Sequence, residues 1–286
     1  MSLNNINFLN INFNKILKAM KIGITGATGR MGKTVIKAVA ENELTDISAM
    51  LDKKESDFIG KDIGKLIGLD EVGVNISDNI EEFFKRSDAV IDFSSPALSL
   101  QCAKIAAKYN KILVCGTTGF TKQEKEKLIN YGNNTVIIWS SNMSIGVNLL
   151  MNLSEKVAKI LHDDYDAEIF EMHHRNKVDA PSGTALCLGE AVARGRGLDF
   201  GEVSRRTRDG IIGKRSKKEI GFSSLRGGDV IGDHSVIFAG IGERFELTHK
   251  ASNREIYARG AIRAAIWGSA QEKGFYTMQD VLSDID

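Results

Sequence analysis

A glycine-rich turn separates the first apolar segment of this chain from the helix predicted to follow it. Residues 21–25 are predicted to form a strand, and residues 26–32 then read Gly-Ala-Thr-Gly-Arg-Met-Gly. Glycines at this spacing allow a tight turn and a close approach of the backbone to a pyrophosphate at the positive end of a helix dipole. Ala27 stands where the Gly-x-Gly-x-x-Gly pattern has its first glycine, so the alternative is a plain strand–helix turn. In this context the turn favours a dinucleotide-binding unit.

Short apolar runs alternate with helical segments through the first half of the chain. Strands are predicted at residues 21–25, 47–51, 89–93, 112–115 and 136–139. Near-continuous apolar strands that alternate with helices are typical of a doubly wound parallel sheet that is covered on both faces. Thr121 and Glu124 form a predicted capping box for one of the helices. The expected fold class of this part is therefore α/β.

The pattern changes after Asn148. A helix over about 147–162 is followed by strands predicted at 167–172, 218–225, 235–239 and 244–250, and a last helix is predicted over 253–273. Glycine-rich turns separate the later strands, which indicates a mixed or antiparallel sheet with helices. The sequence thus predicts a second, α+β domain.

Charge and cysteine usage exclude several classes of protein. The chain has 38 Lys and Arg against 37 Asp and Glu, a net charge of +1, so neither nucleic acid nor a membrane surface is an expected partner. Its apolar runs are too short to span a bilayer. Three cysteines without disulfide or metal-ligand spacing fit the cytoplasm and predict no metal site. The Asn-rich residues 1–19 are expected to be a disordered extension, with a weak targeting peptide as the alternative. The basic stretch 205–218 is expected to be a mobile surface loop.

The end of the second predicted strand bears on the choice of cofactor. Asp52 lies where a carboxylate would bind the 2′-hydroxyl of an adenine ribose and favour NADH. Lys53 and Lys54 would instead attract the 2′-phosphate of NADPH. The sequence leaves this choice open.

Small polar loops follow three later strands, at residues 93–96, 116–119 and 140–143. Doubly wound sheets bind ligands at the carboxyl ends of their strands. These loops are therefore predicted to offer backbone and hydroxyl contacts to a nicotinamide ribose or carboxamide.

Residues 171–184 combine clustered cations with a predicted helix start. The cations are His173, His174, Arg175 and Lys177, and Pro-Ser-Gly-Thr then opens the helix at 181–184. Such a cluster suits a small, multiply negative ligand. Histidine is also the side chain best suited to proton transfer near neutral pH.

Most of these residues have a candidate role. His173, at a strand end, is interpreted as a proton donor or an electrostatic partner, and Lys177 as a proton donor. His174 is a candidate ligand for one substrate carboxylate. Gly183 and Thr184, at the helix start, are candidates for the second carboxylate through backbone N–H and hydroxyl groups. Arg175 is assigned no role.

The order His-His-Arg-x-Lys followed by Asp-Ala-Pro-Ser-Gly-Thr-Ala resembles the signature of the dihydrodipicolinate reductase family, and the resemblance extends from about Met20 to the C-terminus. It implies NADH- or NADPH-dependent reduction of 4-hydroxy-tetrahydrodipicolinate, a small cyclic dicarboxylate, to tetrahydrodipicolinate in lysine and diaminopimelate synthesis. It also implies a homotetramer built through the second domain. The last helix would return to the first domain, which would then comprise residues 20–142 and 253–286, with residues 143–252 forming the domain for substrate binding and oligomerisation.

The resemblance implies the same roles for the basic segment: His173 as proton donor or acceptor, Lys177 as proton donor, and His174, Gly183 and Thr184 as substrate ligands. The positions assigned to the cofactor are Gly26, Ala27, Thr28, Gly29, Arg30, Met31, Asp52, Lys53, Gly116, Thr117, Thr118, Ser140, Ser141, Asn142 and Met143.

Two other functions stay open at this point. Another two-domain amino-acid-pathway dehydrogenase, such as an aspartate-semialdehyde or homoserine enzyme, would share the fold, but the first of these needs a nucleophilic cysteine in a site loop. A nucleotide-sensing protein would keep the fold without the chemistry, and the intact set of His173, His174 and Lys177 argues against it. His234 and His249 lie in predicted strands and are interpreted as structural.

Overall fold

The structure is a computed structural model that describes residues 19–68 and 70–283. The predicted extension over residues 1–19 falls outside these ranges except at Ala19. The first part of the described chain contains β1 (Met20–Thr25), α1 (Arg30–Ala40), β2 (Thr45–Leu51), α2 (Ile63–Ile67), β3 (Ile76–Ser77), α3 (Ile80–Arg86), β4 (Ala89–Asp92), α4 (Pro96–Tyr109), β5 (Ile112–Cys115), α5 (Lys122–Tyr131) and β6 (Val136–Trp139).

The later part contains α6 (Ile145–Leu161), β7 (Asp166–His173), α7 (Gly183–Arg196), α8 (Phe200–Val203), β8 (Ser204–Arg205), β9 (Ile220–Arg226), β10 (Gly232–Ala239), β11 (Arg244–Ala251), α9 (Glu255–Gly268), β12 (Gly274–Tyr276) and α10 (Met278–Ser283). The predicted capping box at the start of α5 is confirmed, since Thr121 and Glu124 each bond the other's backbone N–H.

The first sheet has seven strands in the order β12-β6-β5-β4-β1-β2-β3, and each neighbouring pair is parallel. Alternate strand residues point to opposite faces. Ile91 and Val114 join a core cluster with α1 and α9 on one face, whereas Val90 and Leu113 join a cluster with α3, α4 and α5 on the other. The predicted doubly wound α/β fold is confirmed.

The second sheet has five strands in the order β11-β10-β7-β9-β8. β7 pairs antiparallel with β10 and parallel with β9, so of the two predicted alternatives, mixed or antiparallel, the sheet is mixed. On one face, Ile169 and Val236 pack into a core with α6 and α7. The opposite face carries half-buried side chains such as Phe170 and Ile237. The basic loop between β8 and β9 is tied to this sheet by ion pairs, for example Arg208 with Glu168 at 2.7 Å.

The chain crosses from one sheet to the other after β6 and returns before α9. β12 then pairs with β6 and completes the first sheet. The predicted last helix over 253–273 is too long: α9 ends at Gly268, where an added Cβ would come within 2.9 Å of Ile138 Cδ1 on the sheet. The consequence for the site is that the carboxyl ends of β1, β2, β4, β5 and β6 share one edge, and β6 leads directly toward the second sheet.

Candidate active site

The turn between β1 and α1 leaves backbone N–H groups available at a helix start. Gly26 adopts a left-handed conformation with φ of 58°. Gly29 precedes the helix without a side-chain cap, and Arg30 begins it with an exposed side chain. At Gly32 an added Cβ would lie 2.2 Å from Gly26 O, so the helix packs on the turn at a distance that only glycine permits. This cradle fits a pyrophosphate.

The carboxylate of Asp52 is held against that turn. Thr28 donates to Asp52 Oδ2 from its backbone N–H at 2.9 Å and from its hydroxyl at 2.6 Å. The N–H of Lys53 donates to the other oxygen at 2.8 Å. Carboxylate oxygens accept more than one bond, so Asp52 keeps acceptor capacity for a ribose hydroxyl.

Asp92 lies at the end of β4, and its buried carboxylate accepts hydrogen bonds from several hydroxyl groups. Sequence analysis did not assign it a role. It accepts from Thr25 Oγ1 at 2.5 Å, from Ser94 Oγ at 2.5 Å and from the hydroxyl of Ser99. Thr117, in the loop after β5, also donates to it at 3.4 Å. One carboxylate therefore fixes the ends of three neighbouring strands at the predicted nicotinamide side.

The loop after β6 reaches the second sheet's domain. Ser140 donates to Asn142 O at 2.8 Å, which closes the loop on itself. The amide of Asn142 donates to Thr184 Oγ1 at 3.1 Å. Met143 is buried against α9, where its carbonyl excludes any side chain at Gly260. The predicted cofactor loop and the predicted substrate helix are thus in contact.

His173 lies at the end of β7 within a buried polar cluster. Its Nδ1 is 2.5 Å from Glu171 Oε2, and Glu171 is 1% exposed. Arg226 on β9 donates two bonds of 2.8 Å to the same carboxylate. His234 on β10 packs edge-on to the His173 ring at a centroid distance of 5.0 Å and bonds Ser182 Oγ at 3.2 Å.

These contacts set the charges in the cluster. Burial alone would raise the pKa of Glu171, but the hydrogen bonds from His173 and Arg226 outweigh it and bring the pKa down to about 2. Burial lowers the pKa of His234 to about 3, and the neighbouring His173 adds to this effect. Glu171 is therefore ionised and His234 neutral at pH 7.

The remaining residues of the basic segment lie in the loop between β7 and α7. Lys177 Nζ pairs with both oxygens of Asp179, at 2.7 and 2.9 Å. His174 is half-buried, and its Nδ1 has no hydrogen-bond partner among the described residues. Ser182 caps α7 by accepting from Ala185 N–H at 3.2 Å.

The helix start itself is open to a ligand. The first N–H groups of a helix have no intrahelical partner. In α7 these belong to Gly183 and Thr184, since the Ser182 hydroxyl and carbonyl accept from the next two residues. Gly183 is exposed and Thr184 half-buried.

Sequence reasoning did not identify Glu171, Arg226, Asp179 or Asp92. Glu171 had a readable signal, because residues two apart on a strand share a face and Glu171 precedes His173 by two. Asp92 had another signal, as a charged residue that ends an otherwise apolar strand. Arg226 lies on a different strand, β9, so its pairing with Glu171 depends on the order of the strands in the sheet.

Neither a metal-ligand cluster nor a membrane-spanning helix is found in the described part of the chain. No group of three or more His, Cys, Asp or Glu side chains there is placed to hold a metal ion. None of the helices described is long and apolar enough to cross a membrane. A cavity of about 640 Å³ opens at the amino-terminal edge of the first sheet, beside Asp88, Lys111 and Thr135. None of the predicted site residues lines it, so cavity size does not locate the chemistry.

Comparison with known families divides the chain in two. Residues 20–143 match the family model described as dihydrodipicolinate reductase, N-terminus, and residues 146–282 match the model for the C-terminus of the same enzyme. A 4-hydroxy-tetrahydrodipicolinate reductase from Roseobacter denitrificans is 48% identical over 92% of this chain and 97% of its own length. The protein of that name from Bartonella tribocorum is 49% identical over 92% of this chain and 98% of its own length.

Solved structures share the fold. A dipicolinate-bound dihydrodipicolinate reductase from Paenisporosarcina sp. TG-14 aligns with a TM-score of 0.73 at 24% identity, over 93% of this chain and 100% of that one. An amine dehydrogenase from Mycobacterium smegmatis aligns with a TM-score of 0.59 at 11% identity, over 92% of this chain and 96% of that one. At these identities the alignments concern architecture, which enzymes with different substrates have in common.

Proposed function

Because this chain belongs to the dihydrodipicolinate reductase family, we propose that it catalyses the NAD(P)H-dependent reduction of 4-hydroxy-tetrahydrodipicolinate to tetrahydrodipicolinate. This reaction is a step of diaminopimelate and lysine synthesis. The observation that carries the assignment is the 48–49% identity, over nearly the full length of each relative, to reductases of that name. The substrate is a small cyclic dicarboxylate.

The nucleotide is assigned to the carboxyl edge of the first sheet. Residues 26–31 would hold the pyrophosphate, and Asp52 with Lys53 would face the adenine ribose. Residues 116–118 and 140–143 would line the nicotinamide end, where bound NADH or NADPH supplies the hydride. The glycine-only packing at Gly32 supports this assignment, because a side chain there would collide with the backbone of Gly26 and Ala27 and push the helix start away from the turn.

Proton supply is assigned to His173 and Lys177. Hydride addition to the substrate ring leaves an electron pair that must receive a proton. His173 presents its Nε2 for this purpose, because its Nδ1 is engaged by Glu171 at 2.5 Å. Lys177 has three N–H donors, and Asp179 is the one hydrogen-bond acceptor that its Nζ contacts among the described residues, so an ammonium proton remains available to substrate.

The two substrate carboxylates are assigned to opposite ends of this pocket. His174 would bind one of them. Its Nδ1 has no hydrogen-bond partner within the described part of the chain, so a role as a substrate ligand would account for this ring. Gly183 and Thr184 would bind the other through the open N–H groups of α7 and the Thr184 hydroxyl. Two sets of donors, His174 on one side and Gly183 with Thr184 on the other, would favour a dicarboxylate over a monocarboxylate.

We further propose a division of labour between domains. Residues 20–142 with 253–286 form the nucleotide domain, which the return of β12 to the first sheet supports. Residues 143–252 form the domain for substrate binding and for assembly of a homotetramer. The half-buried face of the second sheet, around Phe170 and Ile237, is the surface that a second copy would cover. Three free thiols support a cytoplasmic location.

An aspartate-semialdehyde type of reaction is not favoured by the cysteines. Such chemistry needs a reactive thiolate. Burial raises the pKa of Cys102 well above its ordinary value, and burial together with the charge of Asp92 raises the pKa of Cys115 to about 12. Burial also raises the pKa of Cys187. The three thiols of this chain are therefore poor nucleophiles.

The direct test is an assay of the purified chain with freshly generated 4-hydroxy-tetrahydrodipicolinate and either NADPH or NADH. Nicotinamide absorbance should fall only when substrate is present, and the rate should saturate with substrate. Aspartate semialdehyde with phosphate and the oxidised cofactor serves as the control for the alternative enzyme. A folded protein that binds the cofactor without substrate-dependent oxidation of it would favour a sensing role and contradict the proposal.

A further inference from the structure

The carboxylate of Glu171 contacts three parts of the active site at once. It bonds the ring of His173, the guanidinium of Arg226 and the backbone N–H of Ser182, the last at 3.2 Å. Ser182 is the capping residue of α7, whose first residues are assigned to a substrate carboxylate. One buried group therefore sets the position of the imidazole relative to the carboxylate-binding helix start.

The contact with Glu171 also determines which nitrogen of His173 can transfer a proton. A carboxylate without a proton only accepts hydrogen bonds, so the bond at 2.5 Å requires a hydrogen on His173 Nδ1. The other nitrogen, Nε2, is then the atom that exchanges a proton with substrate. Gly232 leaves room for it, since an added Cβ would lie 3.0 Å from Nε2.

Arg226 keeps the carboxylate ionised in this buried position. It forms a paired contact with both oxygens at 2.8 Å, and it donates further to the carbonyl of Asp179 at 2.6 Å. A buried carboxylate is tolerated only when paired and hydrogen-bonded. The charge of Glu171 is thus available to stabilise an imidazolium at His173.

We propose that Glu171 is a positioning residue for this reduction, which holds His173 in the Nδ1–H tautomer, places a carboxylate charge beside its ring and fixes it against the start of α7. The inference rests on the proposed function, because it concerns the proton that the reaction consumes. The alternative is that Glu171 and Arg226 form only a structural ion pair between β7 and β9.

The groups that face the His173 ring decide how a pH profile would respond. Glu171 is on the same strand, and Arg226 on β9 acts through it. His234 on β10 is neutral at pH 7, because burial lowers its pKa and the charge of Lys177 adds to this effect. Removal of the Glu171 charge therefore takes away the carboxylate that bonds the ring directly, and an imidazolium is less stable without it.

The test compares Glu171→Gln with the wild type over a range of pH. We expect kcat to fall by about 10- to 100-fold, which is less than the full 10²–10⁴-fold contribution typical of a general acid. The affinity for NADPH should change by less than about threefold. The alkaline limb of the kcat/KM profile should move to lower pH, because less imidazolium is present. A purely structural pair predicts lower activity without that displacement of the profile.

Two further variants serve as controls. Glu168→Gln removes another carboxylate of β7. Glu168 is likewise paired with two arginines, Arg208 and Arg215, but it points away from His173. It should keep the wild-type profile. Arg226→Lys retains a cation beside an intact Glu171 and should also keep the profile even where it lowers thermal stability.

If circular dichroism shows that Glu171→Gln is unfolded, the double variant Glu171→Gln with Arg226→Met replaces it, since removing both charges avoids an unpaired buried group. The change in kcat and the pH profile of kcat/KM then distinguish a positioning role from a purely structural one. An unmoved profile, or a kcat within about threefold of wild type, would overturn the inference while wild-type turnover still supports the proposed function. Absence of wild-type turnover would instead count against the function itself.

Discussion

Asn142 and Thr184 join the two halves of the candidate site through one hydrogen bond of 3.1 Å from the amide nitrogen to the hydroxyl oxygen. The orientation of the Asn142 amide is set by its other end, which accepts from Ser144 N–H at 2.9 Å. Because Thr184 Oγ1 accepts this bond, its own hydrogen remains free to be donated elsewhere. The loop assigned to nicotinamide thereby orients a hydroxyl assigned to substrate.

Removal of either proton donor should lower turnover more than binding. Lys177→Ala and His173→Ala should each reduce kcat on the order of 10²–10⁴-fold, since their main role arises as charge develops. Steady-state kinetics at saturating cofactor give the measurement. Arg175→Ala, an exposed change in the same loop, should leave kcat within about twofold. Near-wild-type kcat in either donor variant would show that the proton comes from another group.

Cofactor choice should depend on Asp52 and on the residue that holds it. Asp52→Ala should weaken NADH use and leave NADPH use largely intact, whereas replacing Lys53 and Lys54 by Ala should do the reverse. Thr28→Val removes the 2.6 Å bond to the carboxylate, so it should resemble Asp52→Ala in direction, and Thr28→Ser should not. The measurement is kcat/KM for each cofactor. Equal losses with both cofactors would place the adenine ribose elsewhere.

The long elements of the fold could be predicted because their patterns are local. The apolar strands and the capping box at Thr121 needed no tertiary information. β3 and β12 were missed since Ile76–Ser77 and Gly274–Tyr276 are too short to show a period. β12 exists through its pairing with β6. The helix predicted to begin at residue 253 begins two residues later: the Asn253 side chain accepts from Glu255 N–H, and Arg254 is the residue that precedes the helix.

The candidate site was predictable where ligands impose a residue type at fixed spacing, as in the turn at Gly26 and the segment at His173. The groups that hold those residues were not. Asp92 collects hydroxyls from three strand ends, and Arg226 reaches Glu171 across the sheet. Such partners become adjacent only once the strand order and register are known, and neither can be read from the patterns of a single sequence.

Acid should remove a stabilising contribution from Glu171. Its pKa is lowered from the ordinary 4.5 to about 2, so the ionised form stabilises the fold above about pH 4.5 and the contribution is lost as pH falls toward 2. The free energy of unfolding of Glu171→Gln should therefore fall furthest below wild type at neutral pH, and the difference should shrink by pH 3. Urea unfolding at both values gives the comparison. If the difference in the free energy of unfolding between the two proteins were the same at both pH values, the pKa of Glu171 would not be lowered by its ion pair.

The open face of the second sheet should control assembly. Ile237 is half-buried there, between Glu168 and Glu246 on the neighbouring strands. Ile237→Lys should be tolerated in an isolated chain because carboxylates flank it, but it should disrupt an interface that buries this face. Light scattering should then report a smaller particle than for wild type. Ile241→Lys, on an exposed turn, is the matched control, and equal masses for all three proteins would exclude this face from the interface.

A two-point clamp for the substrate should discriminate between dicarboxylates and monocarboxylates. Pyridine-2,6-dicarboxylate, which is planar and carries both groups, should compete with substrate, and pyridine-2-carboxylate should bind much more weakly. Thr184→Val keeps the shape and removes the hydroxyl that Asn142 orients. A hydrogen bond to a charged group contributes about 1.5–3 kcal/mol, so affinity for dicarboxylate and substrate should fall roughly ten- to a hundredfold.

Two comparisons separate loss of the clamp from general damage. Thr184→Ser retains the hydroxyl and should bind the dicarboxylate within a few fold of wild type, whereas NADPH affinity should be unchanged in both variants. The monocarboxylate should lose far less than the dicarboxylate in Thr184→Val, because it can bind at the His174 end alone. Inhibition constants for the two pyridine carboxylates provide the measurement. Equal wild-type affinity for both would mean that Thr184 and His174 do not act as opposite ends of one site, and the assignment of a dicarboxylate substrate to this pocket would then fail.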